Sequence, residues 1–217
     1  MEHKVNLSEI SDGKLYSLSD SVCIDCDGCG KQAECCRFAE DTITLDPYDF
    51  FLLASGGLGS FTELYQKGLI GLLTDRGLIL PHLAFNKERC PFLEGNGRCR
   101  IHAYRPGLCR LFPLARIFEE NHVSYILQIH ECPLKAEKSV TVSDWLGYKN
   151  ASEYEAYSLS YSRLLTRCRA YFETLSSPQD RSSFAMAFLR YFFQTPYEDF
   201  FPEFSKRTHS FCEAFTL

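Results

Sequence analysis

The stretch "CIDCDGCGKQAECCR", residues 23–37, decides how this chain is read. It sets Cys23, Cys26, Cys29, Cys35 and Cys36 within fourteen positions. Two residues separate Cys23 from Cys26 and Cys26 from Cys29, and Cys35 and Cys36 are adjacent. Three explanations compete for so many thiols: disulfides, a metal centre, or a reactive redox thiol. Cys90, Cys99, Cys109 and Cys132 follow, and only Cys168 and Cys212 lie beyond them. The chain thus divides into a cysteine-rich part and a cysteine-poor tail.

Disulfides are the weakest of the three. A chain of 217 residues, 45% hydrophobic and 14% aromatic, can bury one ample core, or a main domain plus an appendage, without cross-links. The opening "MEHKVNLSEISDGKL" is polar and lacks the apolar run of a secretory signal. No run of about 18 apolar residues occurs, so no membrane span is expected. The expectation is a cytoplasmic protein whose thiols stay reduced. There, clustered cysteines at short spacing read as metal ligands, whereas the view of all eleven as small buried hydrophobes suits scattered cysteines better. The net charge of −5 argues against nucleic acid as the main partner, because phosphate binding usually shows as a basic excess.

Working outward, Thr42–Leu45 alternates like a short strand, and Asp46 with Pro47 makes a helix start. The glycines of "SGGLGS" end that helix. Ser60 with Glu63 forms a capping box for a second helix, "FTELYQKGLIGLL". "TDRGLILPHLAF" reads as a turn and a strand. "CPFLEGNGRCRIH" reads as a β-hairpin that brings Cys90 and Cys99 together, "AYRPGLCRLFP" as a turn plus one helical turn, and "ARIFEENHVSYILQIHECP" as a second hairpin. From about residue 150 the period changes to three and four: Tyr154, Tyr157, Tyr161, Leu164, Cys168 and Tyr171 mark a long amphipathic helix. Pro178 opens another, and the final twenty residues, with five phenylalanines, pack as a short helix or ordered tail.

The candidate metal ligands are Cys23, Cys26, Cys29, Cys35, Cys36, Cys90, Cys99, Cys109 and Cys132. A C-x2-C loop can put two sulfurs on one ion at about 2.3 Å. Adjacent Cys35 and Cys36 are expected to point apart, which favours two centres or an outer role for one of them. Two metals fit. Zinc takes four nitrogen or sulfur ligands. A [4Fe-4S] cluster also takes four cysteines, and Cys23-x2-Cys26-x2-Cys29 copies the first spacings of a bacterial ferredoxin. The proline-followed fourth ligand of that pattern has two candidates, Cys90 and Cys132.

"CDGCGKQAECCR" followed by "CPFLEGNGRCRIHAYRPGLCRLFP" resembles the CxxCxxCC cysteine-cluster family, the YkgJ-like zinc- or iron-chelating proteins, to which the flagellin lysine N-methylases are related. "VTVSDWLGYKNASEYEAY" is similar to the region that follows in longer members, so the likeness runs over residues 22–160. The resemblance implies that Cys26, Cys29, Cys35 and Cys36 fill the first motif and Cys90, Cys99 and Cys109 the second. Five residues separate Cys29 from Cys35, where the family pattern has two, and the extra Cys23 offers another register.

Arg37, Arg105 and Arg110 flank these cysteines. They either balance thiolate charge and bind an anionic substrate, or hold loop carbonyls around Pro106 and Pro113. His82, His102 and His130 read as hydrogen-bonded strand histidines, with His102 the best candidate for a ligand. Cys168 and Cys212 read as core thiols. "LLASGGLGSF" has the glycines of a methyl-donor site but follows an expected helix rather than a strand, and neither a P-loop nor a G-x-S-x-G nucleophile occurs.

The expected fold is α+β: a domain of short strands and loops around the cysteines, residues 22–148, with a C-terminal helical extension, residues 149–217, packed beside it. The expected function is metal binding, with a [4Fe-4S] cluster before Zn2+, in electron transfer or in cluster-dependent modification of a protein partner. The alternatives are a protein lysine N-methyltransferase and a structural zinc module for protein interaction. The partner is then a redox protein or a protein substrate.

Overall fold

The computed structural model describes residues 7–24, 26, 34–37, 43–86, 89–129, 132 and 138–217. The fold is α+β, built from short antiparallel ribbons and a C-terminal helical layer. After a single turn, α1 (Leu7–Ile10), comes β1 (Ser21–Cys23), whose partner β6 (Ser139–Thr141) arrives more than a hundred residues later. Between them lie α2 (Pro47–Ser55), α3 (Phe61–Gln66), the ribbon β2 (Ile70–Asp75) with β3 (Leu78–Leu83), α4 (Gly107–Leu111), and the ribbon β4 (Leu114–Phe118) with β5 (Val123–Leu127). Four helices close the chain: α5 (Val142–Leu146), α6 (Ala151–Thr174), α7 (Pro178–Leu189) and α8 (Phe200–Phe215).

The caps explain the helix starts. Asp46 accepts from the Asp49 amide at 2.9 Å while Asp49 accepts from the Asp46 amide at 2.9 Å, a reciprocal box that opens α2. Ser60 and Glu63 do the same for α3. Ser177 caps α7 ahead of Pro178, and Asn150 caps α6. The helix expected to run from Phe61 to Leu73 stops at Gln66, and Ile70–Asp75 is a strand. Gly68, at φ +65°, takes the chain out of the helix. Leu72–Leu73 then pair with Pro81–Leu80 across a two-residue turn in which Arg76 and Gly77 both have positive φ. Residues 43–45 run along the edge of β3, through amide bonds of Leu45 to Pro81 and Leu83 to Ile43 and a bridge from Thr44 to His82. Thr42 lies outside the described residues.

Two apolar clusters result. The larger joins Leu45, Phe50 and Leu53 of the α2 region and Leu78 and Leu80 of β3 to Tyr154, Tyr157, Phe188, Phe192, Phe200 and Phe211 of the helical layer, with Phe92 and Ile101 from the cysteine loop. Cys168, fully buried, and Cys212, 9% exposed, belong to it and not to the metal-site region. The smaller contains Val22, Ile24, Leu111, Leu114, Val123, Tyr125, Val142 and Leu146. The short α4 touches both: Leu111 is in the smaller cluster, and Cys109 packs against the larger. Burial on this scale, at about 25 cal/mol per Å² of apolar surface, is what holds the loops that carry the cysteines.

Candidate metal centre

Three segments bring thiols together. Cys35 and Cys36 lie in a 3-10 turn, Glu34–Cys36. Cys90 and Cys99 flank a tight loop, and Cys109 sits in α4. The first segment is tied to the second by a backbone bond from the Cys90 amide to the Cys36 carbonyl, 2.8 Å. The expected hairpin reduces to one bridge, Leu93 opposite Cys99, with the Arg100 amide on the Phe92 carbonyl at 2.9 Å. Cys90 precedes the paired residues, in a turn that the Leu93 amide closes on its carbonyl.

Cys35 and Cys36 do not point apart: their sulfurs are 3.9 Å from each other. Two thiolates about 2.3 Å from one tetrahedral ion stand about 3.8 Å apart, so this pair has the spacing of one edge of such a site. The Cys36 thiol also lies beside Cys90. Hydrogen bonding from Cys36 is the main reason that the thiols of Cys35 and Cys90 are both lowered to about 7, while Cys36 itself is pushed up as the shared donor. Burial raises Cys99 and Cys109, and the neighbouring Cys90 and Cys35 raise both further. Cys35, Cys36, Cys90, Cys99 and Cys109 therefore share one electrostatic neighbourhood. Among the described residues, no three His, Cys, Asp or Glu side chains are closed tightly enough around one point to hold an ion.

Arg105 stands over this group, feeling Cys109, Cys26 and Cys99 as well as Cys35, which brings the exposed Cys26 to the rim. The Nε atoms of Arg105 and Arg37 are buried without a hydrogen-bond partner. The orphaned Arg105 donor in the neighbourhood of these thiols fits an anionic centre, such as thiolates around a metal, that would accept from it. Arg110 is placed differently. Its Nε donates to the Arg105 carbonyl, its Nη1 to Leu146 and its Nη2 to Ala103, and its guanidinium stacks 4.9 Å from the Tyr148 ring. It holds the loop around α4.

The remaining candidates are dispersed. Cys23 is on β1, exposed, opposite Ser139 and beside Tyr16. Cys132 is half-buried beyond β5. Cys29 and His130 lie outside the described residues. His82 is a buried strand histidine with Nδ1 at 2.9 Å from the Leu83 carbonyl. His102 is at the exposed rim, its Nε2 2.9 Å from Arg105 Nη1.

Two carboxyls behind the site, Asp49 buried and Asp46 half-buried, were read in the sequence only as far as the Asp46 cap. Asp49 is 1% exposed, and burial, with Asp46 next to it, pushes its carboxyl well above the usual range. Its second oxygen accepts from the Gly107 amide at 2.7 Å. Behind Asp46, Arg116 donates to the Tyr154 hydroxyl at 3.2 Å, and Tyr154 stacks on Tyr148 at 3.8 Å between centroids. The D-x-x-D spacing signals the capping box. Nothing local signals the bond to Gly107, which is 58 residues away.

A family model described as "CxxCxxCC: Putative zinc- or iron-chelating domain" matches residues 25–138, more than half of the chain. The chain belongs to the CxxCxxCC family. The match spans every thiol of the group just described and stops short of α5–α8. Comparison with curated proteins and with solved structures gives no match. As a CxxCxxCC protein the chain is a metal-binding one of the zinc- or iron-chelating kind. No helix among the described residues is long and apolar enough to cross a membrane.

Proposed function

We propose that the chain carries a [4Fe-4S] cluster on thiols drawn from Cys26, Cys35, Cys36, Cys90, Cys99 and Cys109, and acts in electron transfer or in cluster-dependent modification of a protein partner. The observation that carries the reading is the gathering of five interacting thiols, from three segments, with the buried, unpartnered Nε of Arg105 in their electrostatic neighbourhood. That is more sulfur than one zinc ion uses, and a cluster is a larger body that separate segments can surround. Cys26, Cys35 and His102 are exposed, so the centre lies within reach of a docked redox protein or protein substrate. Lowered thiols of this kind are available as thiolate ligands, and the cytoplasm, where we place the chain, would keep them reduced. Methyl transfer draws no support from the glycines of 56–59, which link α2 to α3 rather than a strand to a helix.

The 3.9 Å sulfur pair favours a second reading, a zinc ion on Cys35 and Cys36 completed by Cys90 and one of Cys99 or Cys109, in a structural interaction module. Metal and acid-labile sulfide content, with an absorption spectrum on protein purified without oxygen, separates the two. Iron with matching sulfide and a broad visible band supports the cluster. Stoichiometric zinc without sulfide sinks it and leaves the second reading.

A further inference from the structure

We propose that Asp49 is a positioning residue of the metal centre: from α2 it caps the helix that carries Cys109 and so fixes where that thiol stands. The inference rests on the reading of Cys109 as a metal ligand. Helix α4 has no cap of its own. Its N-cap is Pro106, and no side chain near it in sequence accepts from its first amides. The acceptor is supplied across the fold by Asp49 Oδ1, 2.7 Å from the Gly107 amide. The other oxygen, Oδ2, accepts from the Asp46 amide at 2.9 Å. One buried carboxyl thus locks the start of α2 and the start of α4 together, two residues before Cys109.

Other contacts make the placement rigid. A Cβ at position 107 would overlap the Tyr154 hydroxyl and come within 3.2 Å of the Tyr148 hydroxyl, so the glycine lets α4 lie directly on those rings. Arg110 clamps the other side through the Ala103, Arg105 and Leu146 carbonyls. Asp49 and Asp46 both serve α2, but only Asp49 reaches α4. That difference is what a mutational comparison can read. Groups that orient a metal ligand typically change affinity 10- to 100-fold when removed.

The test uses the full chain, made metal-free without oxygen and titrated with cobalt(II) against a chromophoric chelator, with the visible ligand-field bands recorded and folding checked by circular dichroism. Asp49→Ala is expected to weaken cobalt binding at least tenfold and to alter the bands. Asp49→Asn, whose carbonyl can still accept from Gly107, is expected to recover most of the affinity. Asp46→Ala removes the α2 cap, together with the Asp46 contacts to Tyr157 and Arg116, but leaves the acceptor of the Gly107 amide, and is expected to lower stability without that loss. Asp49→Leu, of the same branched shape though larger and also lacking an acceptor, provides the second variant and is expected to behave as Asp49→Ala does. Affinity within twofold of wild type in the folded Asp49 variants, or an equal loss in Asp46→Ala, overturns the inference. Cys109→Ser distinguishes the premise. If it binds cobalt as tightly as wild type, Cys109 is no ligand and both readings fail; if it loses affinity while Asp49→Ala does not, only the role of Asp49 fails.

Discussion

Replacing Gly107 with alanine probes the seam between the cysteine loops and the helical layer. The added methyl would enter the space of the Tyr154 hydroxyl, well inside the 3.0 Å that Cβ atoms keep, and would crowd the Tyr148 hydroxyl at 3.2 Å. Neither ring can easily yield. Tyr154 is 1% exposed, stacked on Tyr148 and bonded to Arg116. Overpacking of this kind costs about 1–3 kcal/mol. Displacing α4 would also lengthen the buried bond from Gly107 to Asp49, for about 1 kcal/mol more. The better helix propensity of alanine offsets about 0.5–1 kcal/mol. The net expectation is a loss of about 1–3.5 kcal/mol, read as a lowered midpoint in urea unfolding at unchanged m-value. Gly95→Ala, at a site with nothing within 4 Å of the new methyl, is the control and should stay within about 0.5 kcal/mol of wild type. Tyr154→Phe removes the atom that clashes, so the double variant should regain at least about 1 kcal/mol of the loss caused by Gly107→Ala. A Gly107→Ala variant as stable as the control, or no recovery in the double variant, would refute the reasoning.

Gly77→Ala should destabilise by at least about 2 kcal/mol in the same assay, since φ is +86° there and the new methyl would overlap the buried face of Phe172. In metal-free protein, alkylation of Cys35 should rise with pH through about 7 rather than near the ordinary thiol value of about 8.5, followed by peptide mass mapping. Removing the Cys36 hydrogen bond with Cys36→Ala should move that midpoint upward. Stripping metal with a chelator should lower the unfolding midpoint and speed amide exchange most in the 34–37 segment, less in residues 89–111, while leaving α6–α8 protected, read by hydrogen-exchange mass spectrometry. Uniform loss of protection through α6–α8 would contradict it.

The helical layer was the most legible part of the chain. Tyrosines at spacings of three and four, and Pro178, announce α6 and α7, because amphipathic period and a helix-opening proline are local signals; the structure adds Asn150 and Ser177 as their caps. The run "GLIGLL" is apolar at every position but its glycines and carries no period, so the capping box before it pulls the reading toward helix. Pairing with β3 decides the matter, and pairing is not local. The same holds for β1 with β6, three residues each and more than a hundred apart. Within the site, the sequence shows which residue types congregate but not their directions. Adjacent cysteines in an extended chain diverge, whereas the 3-10 turn at 34–36 lets Cys35 and Cys36 converge to 3.9 Å. Arg110 looks like Arg105 by its neighbours, and only the carbonyls of Ala103 and Leu146 set it apart.

These contacts place the thiols on unequal footings. Cys90 and Cys99 flank a loop whose Phe92 and Ile101 are buried in the larger core, and Cys109 rides on a helix held by Asp49, Arg110 and the Tyr148–Tyr154 stack. Tyr48 of α2 extends that support, with Tyr154, Tyr157, Phe200 and Phe201 all within 6 Å of its ring. None of this depends on a metal. Cys36 also packs against that core, but the 34–37 segment is held otherwise only by the Cys35–Cys36 sulfur pair, the Cys90 thiol and the bond from the Cys90 amide to the Cys36 carbonyl, among the described residues. A metal would therefore meet three thiols already set by the protein core, and its own bonds would contribute most to ordering the 34–37 segment against them. Helices beyond the family match lie against the elements that carry the thiols: Tyr154 of α6 meets Gly107 of α4 and Tyr48 of α2, and Phe200 of α8 meets Tyr48.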